Sequence, residues 1–254
     1  MSDSDADRIR KLPRAMAKDL YIGAAHYSSY VGPPKLWDFI GASQFRLLTA
    51  LGLRENHRLL DVGCGALRAG RLLMPYLNRG CYFGIEPNMW LVEDAIAAEV
   101  GPEFIAMKAP VFSDSADFAA ESFGVPFDFI LANSIFSHAG HDMLEQALGR
   151  FEAALAPGGL IVSTFLRADL RPDFPVETPG WTYPGCTTYR PETLMGRFAQ
   201  AGLVGRMLPW FHPLQFWYVM ARRAEDLPSP AHDVHLVGAV LRDIELAASL
   251  DGVK

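Results

Sequence analysis

The sequence predicts an α/β fold: a doubly wound, mostly parallel sheet of seven strands with an antiparallel last strand and helices on both faces. Three observations predict it. β-prone apolar runs alternate with stretches of helical periodicity along most of the chain. The first such run ends in Asp61 and a glycine turn, the place in an α/β sheet where a ligand meets bare backbone. The last two runs are joined by six residues, Pro209 to Leu214, too few for a parallel crossover, so they form an antiparallel hairpin. With 254 residues, half of them apolar, the chain can bury a large core.

Taken in order, residues 1 to 7 read as a disordered start and a short helix reaches Leu20. Tyr21 to Tyr30 is aromatic and has no clear period; it can fold over a ligand, which makes Tyr27 and Tyr30 candidate substrate-facing lid residues, with plain core packing an equal alternative. Pro33-Pro34 opens a helix with Leu36, Trp37, Ile40, Leu47, Leu48 and Leu51 on its apolar stripe and a stop at Gly52; Gln44 can look toward a ligand, with a surface glutamine the default reading. The first strand, 58 to 62, leads into Gly63, Cys64 and Gly65, and a helix follows from about Leu67 to Met74. A second strand ends in Glu86, a helix spans 89 to 100 until Gly101-Pro102, and 104 to 112 holds the third strand.

Phe127 to Ser134 is the fourth strand, apolar enough to be buried on both faces. The helix 141 to 156 stops at Pro157-Gly158-Gly159 before the strand 160 to 165. A proline- and aromatic-rich connection, 167 to 190, is longer than compact domains ordinarily tolerate without a function. The helix 191 to 200, the hairpin strands 203 to 208 and 215 to 222, and an amphipathic tail helix between His232 and Leu250 complete the chain.

Asp61-Val62-Gly63-Cys64-Gly65 followed by Glu86 resembles the first two motifs of class I S-adenosylmethionine-dependent methyltransferases, whose sheet is Rossmann-like. The loop after the fourth strand and the Pro-Gly-Gly turn resemble later motifs in the same order, so the likeness spans 58 to 165. It implies that S-adenosylmethionine is the cofactor. Asp61, Gly63, Cys64, Gly65 and Asn133 would surround it, with Glu86 on the ribose hydroxyls and Asp117 and Phe118 at the adenine. Capping of a helix by Asp114 or Ser115 explains part of that last cluster equally well. Glu86 also suits a helix N-terminus, with Pro87 as first helical residue. Leu67 departs from the family's more usual glycine, and Arg68 beside it is bulky; Arg68 is a candidate for the methionine carboxylate or the substrate. An NAD-linked oxidoreductase is the alternative, disfavoured because Arg68 stands where the dinucleotide fingerprint needs its third glycine. A non-catalytic cofactor-binding partner subunit is the other.

The resemblance divides the chain into a cap segment and helix (1–52), a cofactor-binding methyltransferase domain with a substrate lid at 167–190 (53–224), and a linker with the amphipathic helix (225–254). It implies methyl transfer to a small molecule, O-methylation of a sugar or secondary metabolite above all. An oxygen nucleophile needs a base, and His138, His141 and His212 are the candidates. Each has a bland alternative: His138 bonded within its loop, His141 opening a helix, His212 in a surface turn. Trp181, Tyr183 and Trp210 are candidate substrate-facing aromatics. His138-x-x-His141-Asp142 has metal-like spacing but no distant support, so no metal is expected.

A net charge of −6 gives no general attraction to phosphate backbones, and the loop after the fourth strand, Asn133-Ser134-Ile135-Phe136, lacks the Pro-Pro-aromatic signature of nucleic-acid amino-methyltransferases. No nucleic-acid partner is expected. Three cysteines without framework spacing, no apolar run of membrane length and no basic-then-apolar start point to a cytoplasmic protein. The tail helix can pack on its own sheet or on a second copy, which leaves a homodimer open.

Overall fold

The computed structural model describes residues 3 to 236 and residue 238. Seven strands, β1 (Leu59–Val62), β2 (Tyr82–Ile85), β3 (Val111–Ser113), β4 (Phe127–Ala132), β5 (Leu155–Phe165), β6 (Val204–Met207) and β7 (Phe216–Ala221), form a sheet in the order β3-β2-β1-β4-β5-β7-β6. The chain divides into two compact units, Met1–Leu48 with Arg54–Ala116, and Thr49–Leu53 with Asp117–Lys254.

In the first unit, β1 (Leu59–Val62), β2 (Tyr82–Ile85) and β3 (Val111–Ser113) are parallel, with Asp61 beside Gly84 and Gly84 beside Phe112. β1 and β2 are buried throughout. Six helices belong with them: α1 (Asp3–Arg10), α2 (Tyr27–Tyr30), α3 (Trp37–Ala50), α4 (Gly70–Tyr76), α5 (Met89–Ala95) and α6 (Pro102–Lys108). α3 forms where its apolar stripe predicts, burying Trp37, Ile40, Leu47 and Leu48, and Gly52 ends it with φ of +104°. Gln44 is buried on that same helix and donates to the Ile40 carbonyl, so it is not the surface residue the sequence suggests.

Three local expectations are corrected here. Asp3–Arg10 is helical and anchored, because Arg10 donates to both carboxylate oxygens of Asp94, at 2.7 and 2.8 Å, and lies over the Trp90 ring. The stretch expected as third strand is mostly helix: Gly101, with φ of +89°, caps α6 and Pro102 is its first residue, so Gly-Pro starts a helix as well as ending one. The strand is only Val111–Ser113. α4 starts at Gly70 rather than Leu67, because Leu67 takes a left-handed φ of +55°.

In the second unit, β4 (Phe127–Ala132) is parallel to β5 (Leu155–Phe165). β7 (Phe216–Ala221) is antiparallel to both β5 and β6 (Val204–Met207), which makes the expected hairpin. The helices here are α7 (His141–Ala154) and α8 (Pro191–Gln200). Phe136, Phe151, Phe165, Phe198, Tyr189 and Tyr218 fill the core, with the Phe136 and Phe165 rings stacked 5.1 Å apart. The expected tail helix lies outside the described residues beyond a short 3-10 turn at Pro230–His235. No described helix is long and apolar enough to cross a membrane.

Candidate functional site

In the first unit the site is built at the carboxyl ends of β1 and β2. Gly63 and Gly65 have φ of +64° and +53°, backbone that side-chained residues rarely adopt. A Cβ on Gly65 would lie 2.8 Å from the Val31 side chain, so the segment after α2 covers the loop. Gly84 leaves room for the buried Cys64 sulfur, whose thiol burial pushes up and keeps protonated. Glu86 is buried: one carboxylate oxygen accepts from the Gly65 N–H at 3.0 Å and the other from the Asn88 N–H at 2.8 Å. It therefore ties the glycine loop to the start of α5, and its helix-terminal role is present. Burial raises its pKa.

Asp61 accepts from the Tyr82 hydroxyl at 2.8 Å. Its carboxyl is pushed up to about 7, chiefly by burial, against the lowering pull of the Tyr82 bond and the Arg68 charge. Arg68 is itself buried, which brings its guanidinium down to about 10, and it donates one hydrogen bond, to the Val31 carbonyl at 3.2 Å. The guanidinium has four more N–H donors. Two buried carboxyls and one guanidinium thus line bare backbone, with burial working against the ionised form of both acids. Such a setting suits a cationic ligand, and the remaining Arg68 N–H groups suit a carboxylate.

In the second unit the loop after β4 is gripped by the 167–190 connection. Gly140 donates to the Gly180 carbonyl, Thr182 to the His138 carbonyl and Thr187 to the Ser137 carbonyl, while Gly180 donates to Asp142. The Tyr189 hydroxyl donates to the Ala139 carbonyl at 2.6 Å. His138 Nδ1 lies 2.7 Å from the Gly185 carbonyl. A carbonyl can only accept, so Nδ1 carries the proton and Nε2 keeps its lone pair in the neutral ring. Burial lowers the His138 pKa, which favours that neutral form. The rings of Trp181 and Tyr183 stand 5.8 and 5.1 Å from it.

Residues 60–161 match the family model described as a methyltransferase domain. Those residues carry a methyltransferase domain. Among solved structures it is similar to an O-methyltransferase family protein from Burkholderia thailandensis (14% identity, 78% of this chain and 60% of that one, TM-score 0.53). It is also similar to a methyltransferase from Streptomyces caelestis (14%, 82% and 94%, TM-score 0.57). A third is an amino pentose methyltransferase of calicheamicin biosynthesis from Micromonospora echinaspora, solved with S-adenosylmethionine bound (16%, 74% and 92%, TM-score 0.52). The chain thus spans about 60% of the length of the Burkholderia protein. At such identities these likenesses establish the fold.

Within this methyltransferase domain the first unit brings together Asp61, Gly63, Cys64, Gly65, Arg68 and Glu86, as the glycine motif predicts. The second gathers His138, Trp181 and Tyr183. Other sequence candidates have different work. Asp117 is exposed and its carboxylate pairs with Arg150 at 2.7 Å, while Phe118 is buried edge-on to Phe151. Tyr27 is buried, donates to Glu99 at 2.7 Å and packs on Trp37; Tyr30 packs edge-on to Trp90. Trp210 is buried under Gly238.

The His212 Nδ1 lone pair, the one basic site of that neutral ring, accepts the N–H groups of Leu214 and Gln215 at 3.1 and 2.9 Å, so this histidine shapes its turn rather than acting as a base. His141 is the first residue of α7, 4.0 Å from Asp142, and shares none of the contacts around His138. Tyr82, Val31 and Gln215 were not singled out from sequence. Tyr82 alone left a signal: its place two residues before Gly84 puts it on β2 beside Asp61's strand.

Proposed function

We propose that this protein transfers the methyl group of S-adenosylmethionine to an oxygen of a small molecule, a sugar or a secondary metabolite. One observation carries the choice of oxygen: His138 is held neutral with its Nδ1 proton on the Gly185 carbonyl, which leaves Nε2 to take a proton. Amines attack in their free-base form, whereas a hydroxyl must lose a proton as it attacks. Trp181, just over half exposed, and Tyr183 flank that ring and offer flat faces to a substrate. The amino pentose and sugar N-methyltransferases among similar structures support a small substrate of the sugar class.

The first unit suits the cofactor. When bound, S-adenosylmethionine supplies a methyl group on a sulfonium, an excellent leaving group. Glu86 would hold the ribose hydroxyls, Arg68 the methionine carboxylate, and Asp61 would balance the cationic end. S-adenosylmethionine carries one net positive charge, which would favour the ionised forms of Asp61 and Glu86 that burial disfavours. The cap at 1–52, the lid at 167–190 and the linker beyond 224 are the functional divisions of this reading. The dinucleotide alternative is disfavoured by the sheet, since the all-parallel order of that fold ends 4-5-6, whereas here an antiparallel β7 stands between β5 and β6.

Titration calorimetry with S-adenosylmethionine and with NAD, on the natural protein and on Glu86→Ala, tests it. Saturable binding of the sulfonium alone, lost on substitution, is expected. Hydroxylated acceptors should then release S-adenosylhomocysteine. NAD binding without S-adenosylmethionine binding would refute the proposal.

A further inference from the structure

Asn133 and Gln215 are buried to the same degree, each 8% exposed, and both donate to one hydroxyl. Asn133 Nδ2 lies 3.3 Å and Gln215 Nε2 2.9 Å from Ser134 Oγ. Among the described residues, neither Asn133 Oδ1 nor Gln215 Oε1 has a hydrogen-bond partner. Turning the amides around does not remove the deficit. Ser134 has one hydroxyl proton, so at most one of the two carbonyls can accept from it, and the other stays without a donor. Buried acceptors left in this way are costly to a fold and call for an explanation.

Ser134 itself is strained. Its φ is +62°, and it is kept there by its N–H on Thr164 Oγ1 at 2.8 Å and by the Ser137 hydroxyl on its carbonyl at 3.1 Å. Two residues beyond Gln215, the wholly buried Trp217 has an indole N–H with no acceptor among the described residues. β4, β5 and the approach to β7 thus converge on a polar cluster whose own members do not complete it.

We infer that Asn133, Ser134 and Gln215 form a recognition site for a hydrogen-bond-donating group, with Gln215 as the residue that selects for it. This deepens the methyltransferase reading and rests on it for the choice of ligand. The donor is a hydroxyl or amine of the acceptor substrate, or the methionine ammonium of the cofactor.

The test uses the full chain with Gln215→Met, which keeps the length and removes the carbonyl, and Gln215→Glu, which keeps an acceptor that Ser134 can donate to. Melting temperatures are read without ligand, and S-adenosylhomocysteine and 5′-methylthioadenosine, which lacks the amino acid, are titrated. Gln215→Met is expected to melt no lower than the natural protein. Unchanged S-adenosylhomocysteine affinity with a KM for a hydroxylated acceptor raised about tenfold or more, and restored by Gln215→Glu, assigns the site to the acceptor substrate; unchanged affinity with unchanged KM overturns the inference. A loss of about tenfold or more, without change for methylthioadenosine and restored by Gln215→Glu, assigns it to the cofactor's ammonium. If both variants melt several degrees lower, Gln215 is a packing residue and the inference is overturned. If the natural protein binds neither nucleoside, the methyltransferase reading falls, while the melting comparison still decides whether Gln215 serves the fold or a ligand.

Discussion

Replacing Asp61 by asparagine isolates what a buried charge costs this fold. The carboxyl sits at the end of β1 with the Tyr82 hydroxyl on it, and burial moves it from an ordinary 3.8 to about 7. An acid whose folded pKa is raised stabilises the fold fully below its unfolded pKa, and that stability is lost as pH rises through the folded value. A gap of about three units, at about 1.36 kcal/mol each, puts the loss at about 4 kcal/mol above pH 7. The substituted amide never ionises. It keeps an acceptor for Tyr82 but brings N–H groups whose incomplete pairing costs about 1–3 kcal/mol. Asp61→Asn should be the less stable protein near pH 4 and the more stable one, by about 1–3 kcal/mol, above pH 7. Urea unfolding of both proteins at pH 4, 5, 6, 7 and 8 measures this. A difference that stays flat across the range would refute the claim that Asp61 is a strained charge, and with it the argument that it is kept for a cationic ligand. S-adenosylmethionine affinity should fall in the same variant.

Three further outcomes are expected. Glu86→Gln should lower S-adenosylmethionine affinity by about 10- to 100-fold in calorimetry, the worth of hydrogen bonds to a charged acceptor, about 1.5–3 kcal/mol; unchanged affinity would remove Glu86 from the ribose. His138→Ala should cut turnover on a hydroxylated acceptor by about 10²–10⁴-fold, leave cofactor affinity intact, and abolish the fall in rate on the acid side, where protonation of His138 silences it. A variant that keeps that acid limb would show that another group is the base. Gly140→Ala would drive a Cβ into the Thr178 carbonyl, so the 167–190 connection must shift from the β4 loop, with about 1–3 kcal/mol lost and faster proteolysis within the connection; a protected, equally stable variant would show that this seam is slack.

What could be read in the sequence was whatever is decided within a few neighbours. The end of β1, the two glycines and Glu86 follow local rules of strand, turn and close approach, and the structure brings them together. The final hairpin was legible because six residues cannot cross a sheet face. Gly101-Pro102 ends one helix as expected and also opens the next, so the stretch expected as strand from 104 is helix up to Lys108: the pair obeys two local rules at once. Asp117 is placed at the adenine by the family resemblance of its loop, whereas its carboxylate pairs with Arg150, 33 residues away. Gln215 makes the point most sharply. It stands between a turn and a strand with nothing in its neighbours to mark it, and its bond to Ser134 joins residues 81 apart. Its meaning comes from the proton count at one hydroxyl. Two amides share a single hydroxyl, and no pattern of letters along a chain records which groups a fold will force to share. For that reason the residues that choose a substrate are expected to stay the least legible part of a methyltransferase sequence, while those that hold the common cofactor are the most.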